Sequence, residues 1–117
     1  MRSKICLVED EPLLRAMTQA DLEDLGFEVV PATTCEEAWG LITSGNPFGC
    51  LVTDIRTPGP IDGWELARRT RDVAPQMRVI YVSGYPGAEA QPVEGSIFLS
   101  KPYLCRELEQ ALERLGM

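Results

Sequence analysis

The sequence predicts an α/β domain built on a doubly wound parallel sheet, and three observations support this prediction. Five short runs rich in Val, Ile and Leu are spread along the chain, as expected for strands buried on both faces. Stretches in which apolar residues recur at helical spacing separate most of these runs. Because the connections are short, right-handed crossovers would place helices on both faces of the sheet.

The five predicted strands are all short and contain few polar residues. Their ranges are 4–8, 28–32, 50–53, 79–82 and 97–99. Runs of this kind are typical of parallel strands that are covered by helices on both sides.

Four predicted helices alternate with these strands. The first ends at Gly26, a residue that commonly terminates helices. The second begins after Thr34, which is suited to the N-cap position, and ends at Gly45. The third covers about 63–73 and stops before a proline, and the last begins at about residue 104 with an apolar stripe. We expect Trp39 to lie in the core and Trp64 to be partly exposed.

The interval 84–96, between the fourth and fifth strands, does not have the composition of a helix. It contains three glycines and two prolines. Both residue types disfavour a helix interior, so we expect a loop with one helical turn at most. The fourth helix of a regular alternation should therefore be short or absent.

Composition excludes several classes of protein. The length of 117 residues suits one domain over 1–117, and we expect no output domain. Neither a signal peptide nor a membrane span is apparent, so we expect a cytoplasmic protein. The net charge of −7 disfavours direct binding to nucleic acid or to an anionic membrane, so the expected partner is a protein.

The chain has four cysteines and no histidine. The cysteines are too widely spaced for a Cys-x-x-Cys pair, so we expect buried free thiols rather than a zinc site. The absence of histidine also removes the usual general base of Ser-His or Cys-His catalysis.

Acidic residues gather where predicted strands end. Glu9 and Asp10 follow the first strand, and Asp54 follows the third. If these strands are neighbours, the three carboxylates meet at the carboxyl edge of the sheet and repel one another unless a proton or a cation compensates them. Magnesium suits such a site because it binds oxygen and typically takes few protein carboxylates. For Glu11 we favour a simpler role at a helix N-terminus, with Pro12 in the first turn.

Five segments, taken in order, resemble the receiver domain of two-component response regulators, the CheY-like family. They are Leu-Val-Glu-Asp-Glu-Pro at 7–12, Val-Thr-Asp-Ile-Arg at 52–56, the following Pro58 with Asp62-Gly63, Val-Ser-Gly at 82–84, and Lys-Pro-Tyr at 101–103. The resemblance covers residues 4–115. It implies a flavodoxin-like (βα)5 fold with strand order 2-1-3-4-5.

The resemblance also implies a function and a metal. Asp54 would accept a phosphoryl group from a phosphohistidine on a sensor histidine kinase or a phosphotransfer protein. Asp10 and Asp54 would ligate Mg2+ through their side chains, Arg56 through its backbone carbonyl and Glu9 through a water molecule. Lys101 would pair with a phosphoryl oxygen. The domain would not be an enzyme beyond its own phosphorylation and autodephosphorylation, and would be a monomer or a weak dimer.

Three further residues have implied roles in switching. Ser83 would move to bind a second phosphoryl oxygen, and Phe98 would follow it inward, although Phe98 could equally be an ordinary core aromatic. Pro102 would form a cis peptide bond with Lys101, aiming the lysine side chain inward.

The sequence departs from the family pattern at three places. The segment 57–63 is one residue longer than usual, the interval 84–96 lacks helical composition, and Arg56 occupies a position that could affect water access to an acyl phosphate.

Two other classes of function are alternatives to a phosphorylated receiver. A pseudo-receiver would bind its partner without phosphorylation, and the presence of the phosphorylation residues argues against it. A magnesium-dependent phosphatase would use an aspartyl nucleophile, but Arg56 breaks the usual Asp-x-Asp signature that would begin at Asp54.

Overall fold

The structure is a computed structural model that describes residues 3–84 and 90–117. The described residues form five strands and four helices. The strands are β1 (Lys4–Val8), β2 (Glu28–Ala32), β3 (Phe48–Asp54), β4 (Arg78–Ser83) and β5 (Ile97–Ser100). The helices are α1 (Pro12–Asp24), α2 (Cys35–Thr43), α3 (Gly63–Val73) and α4 (Cys105–Arg114).

The five strands form one parallel sheet in the order β2-β1-β3-β4-β5. This arrangement confirms the predicted fold class and strand order. The central pair matters most for the site, because β1 and β3 lie side by side with Val8 opposite Thr53. The residues that follow these two positions therefore emerge next to each other at the carboxyl edge.

Helices cover both faces of the sheet, as a doubly wound fold requires. Side chains alternate along a strand, so Cys6 and Val8 face one side while Ile5 and Leu7 face the other. The first side packs against α2 and α3, and the second against α1 and α4. Burying β1 and β3 on both faces explains why these strands are almost entirely apolar.

The helix ends follow the expected capping chemistry. Pro12 opens α1, and the Thr34 side chain accepts a hydrogen bond of 3.2 Å from the backbone N–H of Glu37 at the start of α2. Asp62 caps α3 in the same way by accepting from the N–H of Glu65 at 2.8 Å. Gly26, with φ of 96°, follows α1 in the left-handed conformation that glycine tolerates best.

Several local predictions were wrong. Strand β3 begins two residues earlier than predicted, at Phe48. Trp64 is buried and packs against Tyr81, with ring centroids 4.5 Å apart and ring planes tilted by 54°, whereas Trp39 is only partly buried. Three of the four cysteines are buried, but Cys105 is exposed at the start of α4.

The connection between β4 and β5 agrees with its loop-like composition where it is described. Residues 90–96 contain no helix and only a turn at 94–95, while residues 85–89 of the predicted loop lie outside the described part of the chain. The longest described helix, α1, has 13 residues, and none of the described helices is both long and apolar enough to cross a bilayer.

Gly63 allows α3 to start against the end of β3, and we predict that alanine there is destabilising. A Cβ atom at this position would clash with the backbone carbonyl of Asp54 and lie 2.8 Å from the Cα of Ile55. Gly63→Ala should lower the unfolding free energy by about 1–3 kcal/mol, since backbone must move to make room. Urea denaturation would measure the loss.

Gly40→Ala is the matched control for that experiment. Gly40 lies inside α2, and a Cβ atom there would meet no neighbouring group within 4 Å, so alanine should stabilise the protein by roughly 0.5–1 kcal/mol. Equal and small effects of the two substitutions would contradict the proposed steric role of Gly63.

Candidate functional site

Two neighbouring strands place the acidic residues in one pocket. Glu9 directly follows β1, and Asp54 is the last residue of β3. Together with Asp10 they offer three carboxylate oxygens that all lie within 4.8 Å of one another. The acids that the sequence places at separate strand ends therefore form one cluster, as expected for neighbouring strands.

The cluster is largely removed from water. Glu9 is 2% exposed and Asp54 is 5% exposed, while Asp10 lies at the exposed rim. Burying ionised carboxylates is costly unless charge and hydrogen bonds compensate them. The structure supplies one such compensating charge from a third strand.

That charge is the ammonium group of Lys101, which follows β5. Its Nζ lies 2.8 Å from Glu9 Oε1 and 2.8 Å from Asp54 Oδ1. The backbone N–H of Lys101 donates to the carbonyl of Ser83 at 2.9 Å, and its peptide bond with Pro102 is cis. Lys101 thus bridges the two buried acids across the carboxyl edge of the sheet.

The pKa values of the two buried acids are pushed apart. Burial and the neighbouring Glu9 carboxyl raise the pKa of Asp54 to about 7, against the opposing effect of Lys101. Burial also opposes ionisation of Glu9, but hydrogen bonds from Asp54, Lys101 and the backbone N–H of Glu11 outweigh it and lower the pKa of Glu9. Without metal, Asp54 is therefore the more readily protonated of the two buried acids.

The set of donors fits a divalent cation. Three carboxylates against one ammonium leave a net negative charge, and hard cations such as Mg2+ or Ca2+ take carboxylate oxygens. Burial and the neighbouring Glu9 carboxyl raise the pKa of Asp54 despite Lys101, so one ammonium does not fully compensate these acids.

Arg15 also supports the site, and it was not among the residues predicted from the sequence. Its guanidinium donates to the backbone carbonyl of Glu9 at 2.9 Å, and the N–H of Glu11 donates to Glu9 Oε2 at 3.1 Å. Both contacts hold the turn that carries the acids. The sequence signal that could have indicated Arg15 is a basic residue about one helical turn after the acidic residues that follow the first strand.

The remaining predicted residues lie on β4, on β5 and in the loop after β3. Ser83 is buried at the end of β4, opposite Ser100 of β5. The side chain of Arg56 is exposed in the loop after β3. Phe98 pairs in register with Tyr81 but is 36% exposed, so the alternative interpretation of Phe98 as a core aromatic is wrong.

Comparison with known proteins identifies the family. Residues 5–113 match the family model described as the response regulator receiver domain. The chain belongs to this family. Receiver domains are phosphoryl acceptors of two-component systems rather than classical enzymes, and they interact with histidine kinases or phosphotransfer proteins.

Individual relatives of this receiver domain agree with that assignment. It is 29% identical over 116 residues to the response regulator receiver protein CpdR of Brucella abortus, covering 96% of this chain and 95% of the relative. A receiver protein structure from Sinorhizobium medicae superposes with a TM-score of 0.92 at 35% identity, covering 97% of this chain and 93% of that one.

A third relative of the receiver domain was solved with a metal. Response regulator TrrA of Thermotoga maritima, in complex with Mg2+-BeF, superposes with a TM-score of 0.85 at 26% identity, covering 97% of this chain and 99% of that one. The acidic cluster of Glu9, Asp10 and Asp54 is suited to a cation site of the kind typical of receivers.

Proposed function

We propose that this receiver domain accepts a phosphoryl group on Asp54, in a Mg2+-dependent transfer from a phosphohistidine of a partner kinase or phosphotransfer protein. The observation that carries the proposal is the position of the Asp54 carboxylate. It lies buried within the acidic cluster and 2.8 Å from the Lys101 ammonium. A cytoplasmic location remains part of the prediction.

The proposed reaction moves one phosphoryl group between two side chains. A carboxylate oxygen of Asp54 forms the new O–P bond while the N–P bond of the partner's phosphohistidine breaks. The imidazole nitrogen leaves with the electron pair of the broken bond. These 117 residues contain no histidine, so the donor imidazole would be supplied from outside them.

Ionised Asp54 is the reactive form, because only the carboxylate is a nucleophile. Its raised pKa keeps part of the population protonated near neutral pH. A bound cation would favour the ionised form, since opposite charge lowers the pKa of a carboxyl.

The metal would be held by the side chains of Asp10 and Asp54 and by the backbone carbonyl of Arg56, with Glu9 acting through a water molecule. When bound, Mg2+ would neutralise charge on the carboxylates and on the phosphoryl oxygens. Lys101 would pair with one of those oxygens by a charge-assisted hydrogen bond.

Phosphorylation would be converted into a signal through Ser83 and Phe98. The phosphoryl group adds negative charge and acceptor oxygens, so Ser83 and Lys101 would be drawn toward it. Phe98, 36% exposed on the edge strand, would move inward in the same step. A complete two-state shift needs roughly 5.5 kcal/mol of differential stabilisation, which a few charge-assisted contacts can supply.

Intact mass spectrometry would test the proposal after incubation with Mg2+ and acetyl phosphate. We expect the wild type to gain the mass of one phosphoryl group, and Asp54→Asn to gain none. Asp72→Asn, which removes the same charge from the exposed surface of α3, should be phosphorylated like the wild type.

Other results would favour the alternatives. A wild type that binds a histidine kinase but never gains mass would indicate a pseudo-receiver. Turnover of unrelated phosphoesters would indicate a phosphatase.

A further inference from the structure

The loop between β3 and α3 is fastened to the first turn of α2 by two hydrogen bonds. The Thr57 hydroxyl oxygen accepts from the backbone N–H of Cys35 at 3.1 Å. Four residues after Thr57, the backbone N–H of Ile61 donates to Glu36 Oε2 at 3.2 Å. This loop begins directly after Asp54 and carries Arg56, so its path is set partly by a helix that is distant in sequence.

Glycine at position 59 is what allows the Glu36 carboxylate to reach this loop. Gly59 has φ of +114°, and a Cβ atom there would clash with the carboxylate of Glu36. A larger residue would push the Glu36 side chain away from Ile61, besides straining the backbone. The hydrogen bond between Ile61 and Glu36 therefore depends on glycine at position 59.

The energetics suggest that this contact positions the loop more than it stabilises the fold. Within the described residues, Glu36 Oε1 is buried without a hydrogen-bond partner. A buried carboxylate oxygen left unsatisfied has a cost that offsets much of what the hydrogen bond accepted by Oε2 contributes. Truncating Glu36 removes a buried unpaired oxygen but also the acceptor of the Ile61 N–H, so the two effects on the free energy of unfolding should partly cancel while the loop is released.

We propose that Glu36 is a positioning residue for the metal site. It would fix the loop that carries Arg56, whose backbone carbonyl is a proposed Mg2+ ligand, so this inference rests on the proposed function. Residues that orient metal ligands from outside typically change metal affinity by 10–100-fold when they are removed. Glu36 contacts Ile61 and not Arg56 itself, so we expect its removal to weaken Mg2+ binding by about the lower limit of that range.

Calorimetric Mg2+ titration would test the proposal with two matched variants. Glu36→Ala should weaken Mg2+ binding about tenfold. Glu37→Ala removes the same charge from the next, exposed residue of α2 and should bind Mg2+ within about twofold of the wild type. Glu36→Gln keeps an acceptor oxygen and should recover most of the lost affinity. Without metal, Glu36→Ala and Glu37→Ala should unfold at closely similar urea midpoints.

A double-mutant cycle would show whether Glu36 and Gly59 act together. Gly59→Ala should also weaken Mg2+ binding. In the Glu36→Ala background it should lower the Mg2+ affinity by a smaller factor, because the clashing carboxylate is gone. Additive losses would overturn the proposed contact.

Two further results would overturn the proposal in different ways. Equal Mg2+ affinities of Glu36→Ala and Glu37→Ala, in a chain whose Asp54 is phosphorylated normally, would remove the role of Glu36 and leave the proposed function intact. No Mg2+ binding and no phosphorylation by the wild type would overturn both.

Discussion

Replacing Asp54 by asparagine is expected to stabilise the metal-free protein at neutral and alkaline pH. Burial and the Glu9 carboxyl raise the pKa of Asp54 to about 7, whereas an aspartate in the unfolded chain titrates near about 3.9. Between these values the folded state binds a proton that the unfolded state has lost, so stability falls as pH rises. Three pKa units correspond to about 4 kcal/mol as an upper limit, and we expect a gain of about 1–3 kcal/mol.

Urea unfolding in the presence of a chelator would measure this gain at two pH values. Asp54→Asn should exceed the wild type at pH 8, and most of the difference should vanish at pH 5, where folded wild type keeps Asp54 protonated. Asp72→Asn, on the exposed surface of α3, should change stability by less than about 0.5 kcal/mol at either pH. A gain that is the same at both pH values would contradict the raised pKa. Added Mg2+ should stabilise the wild type more than the variant.

Replacing Lys101 by methionine is expected to produce the largest loss of stability in the metal-free protein. The substitution keeps most of the apolar stem but leaves Glu9 and Asp54 without their shared ammonium. Breaking a buried ion pair by removing one partner typically costs 3–5 kcal/mol. Lys101 is 20% exposed, so we expect a loss of about 2–4 kcal/mol at pH 8.

Lys4→Met is the matched control for Lys101→Met. Lys4 has a similar exposure of 22%, but its partner Glu28 is 69% exposed and 3.5 Å away. Lys4→Met should therefore lower the free energy of unfolding by less than about 1 kcal/mol. Lowering the pH to 5 should reduce the cost of Lys101→Met, because the unpaired carboxyls can then take up protons. If the two methionine variants lose the same stability, Lys101 does not compensate the buried acids as inferred.

The sequence predicted the alternation of elements and the members of the acidic cluster, while the strand order came from the family resemblance. Apolar runs at strand length alternate with amphipathic runs at helix length, except between the fourth and fifth strands, and both are local patterns that a sequence displays. The acids lie directly after predicted strands, and parallel strands bring their carboxyl ends to one edge. Asp10 and Asp54 could therefore be placed together once strand order was known.

Contacts between segments distant in the sequence were decided only by the tertiary structure. Helical periodicity shows that Trp39 and Trp64 lie on amphipathic helices, but the depth of each ring depends on which strand lies beneath it. The bridge from Lys101 to both acids, and the bond from Glu36 to the loop at Ile61, join elements that share no local pattern. Local sequence determines which element a residue belongs to, whereas electrostatic and packing partners depend on how the elements assemble.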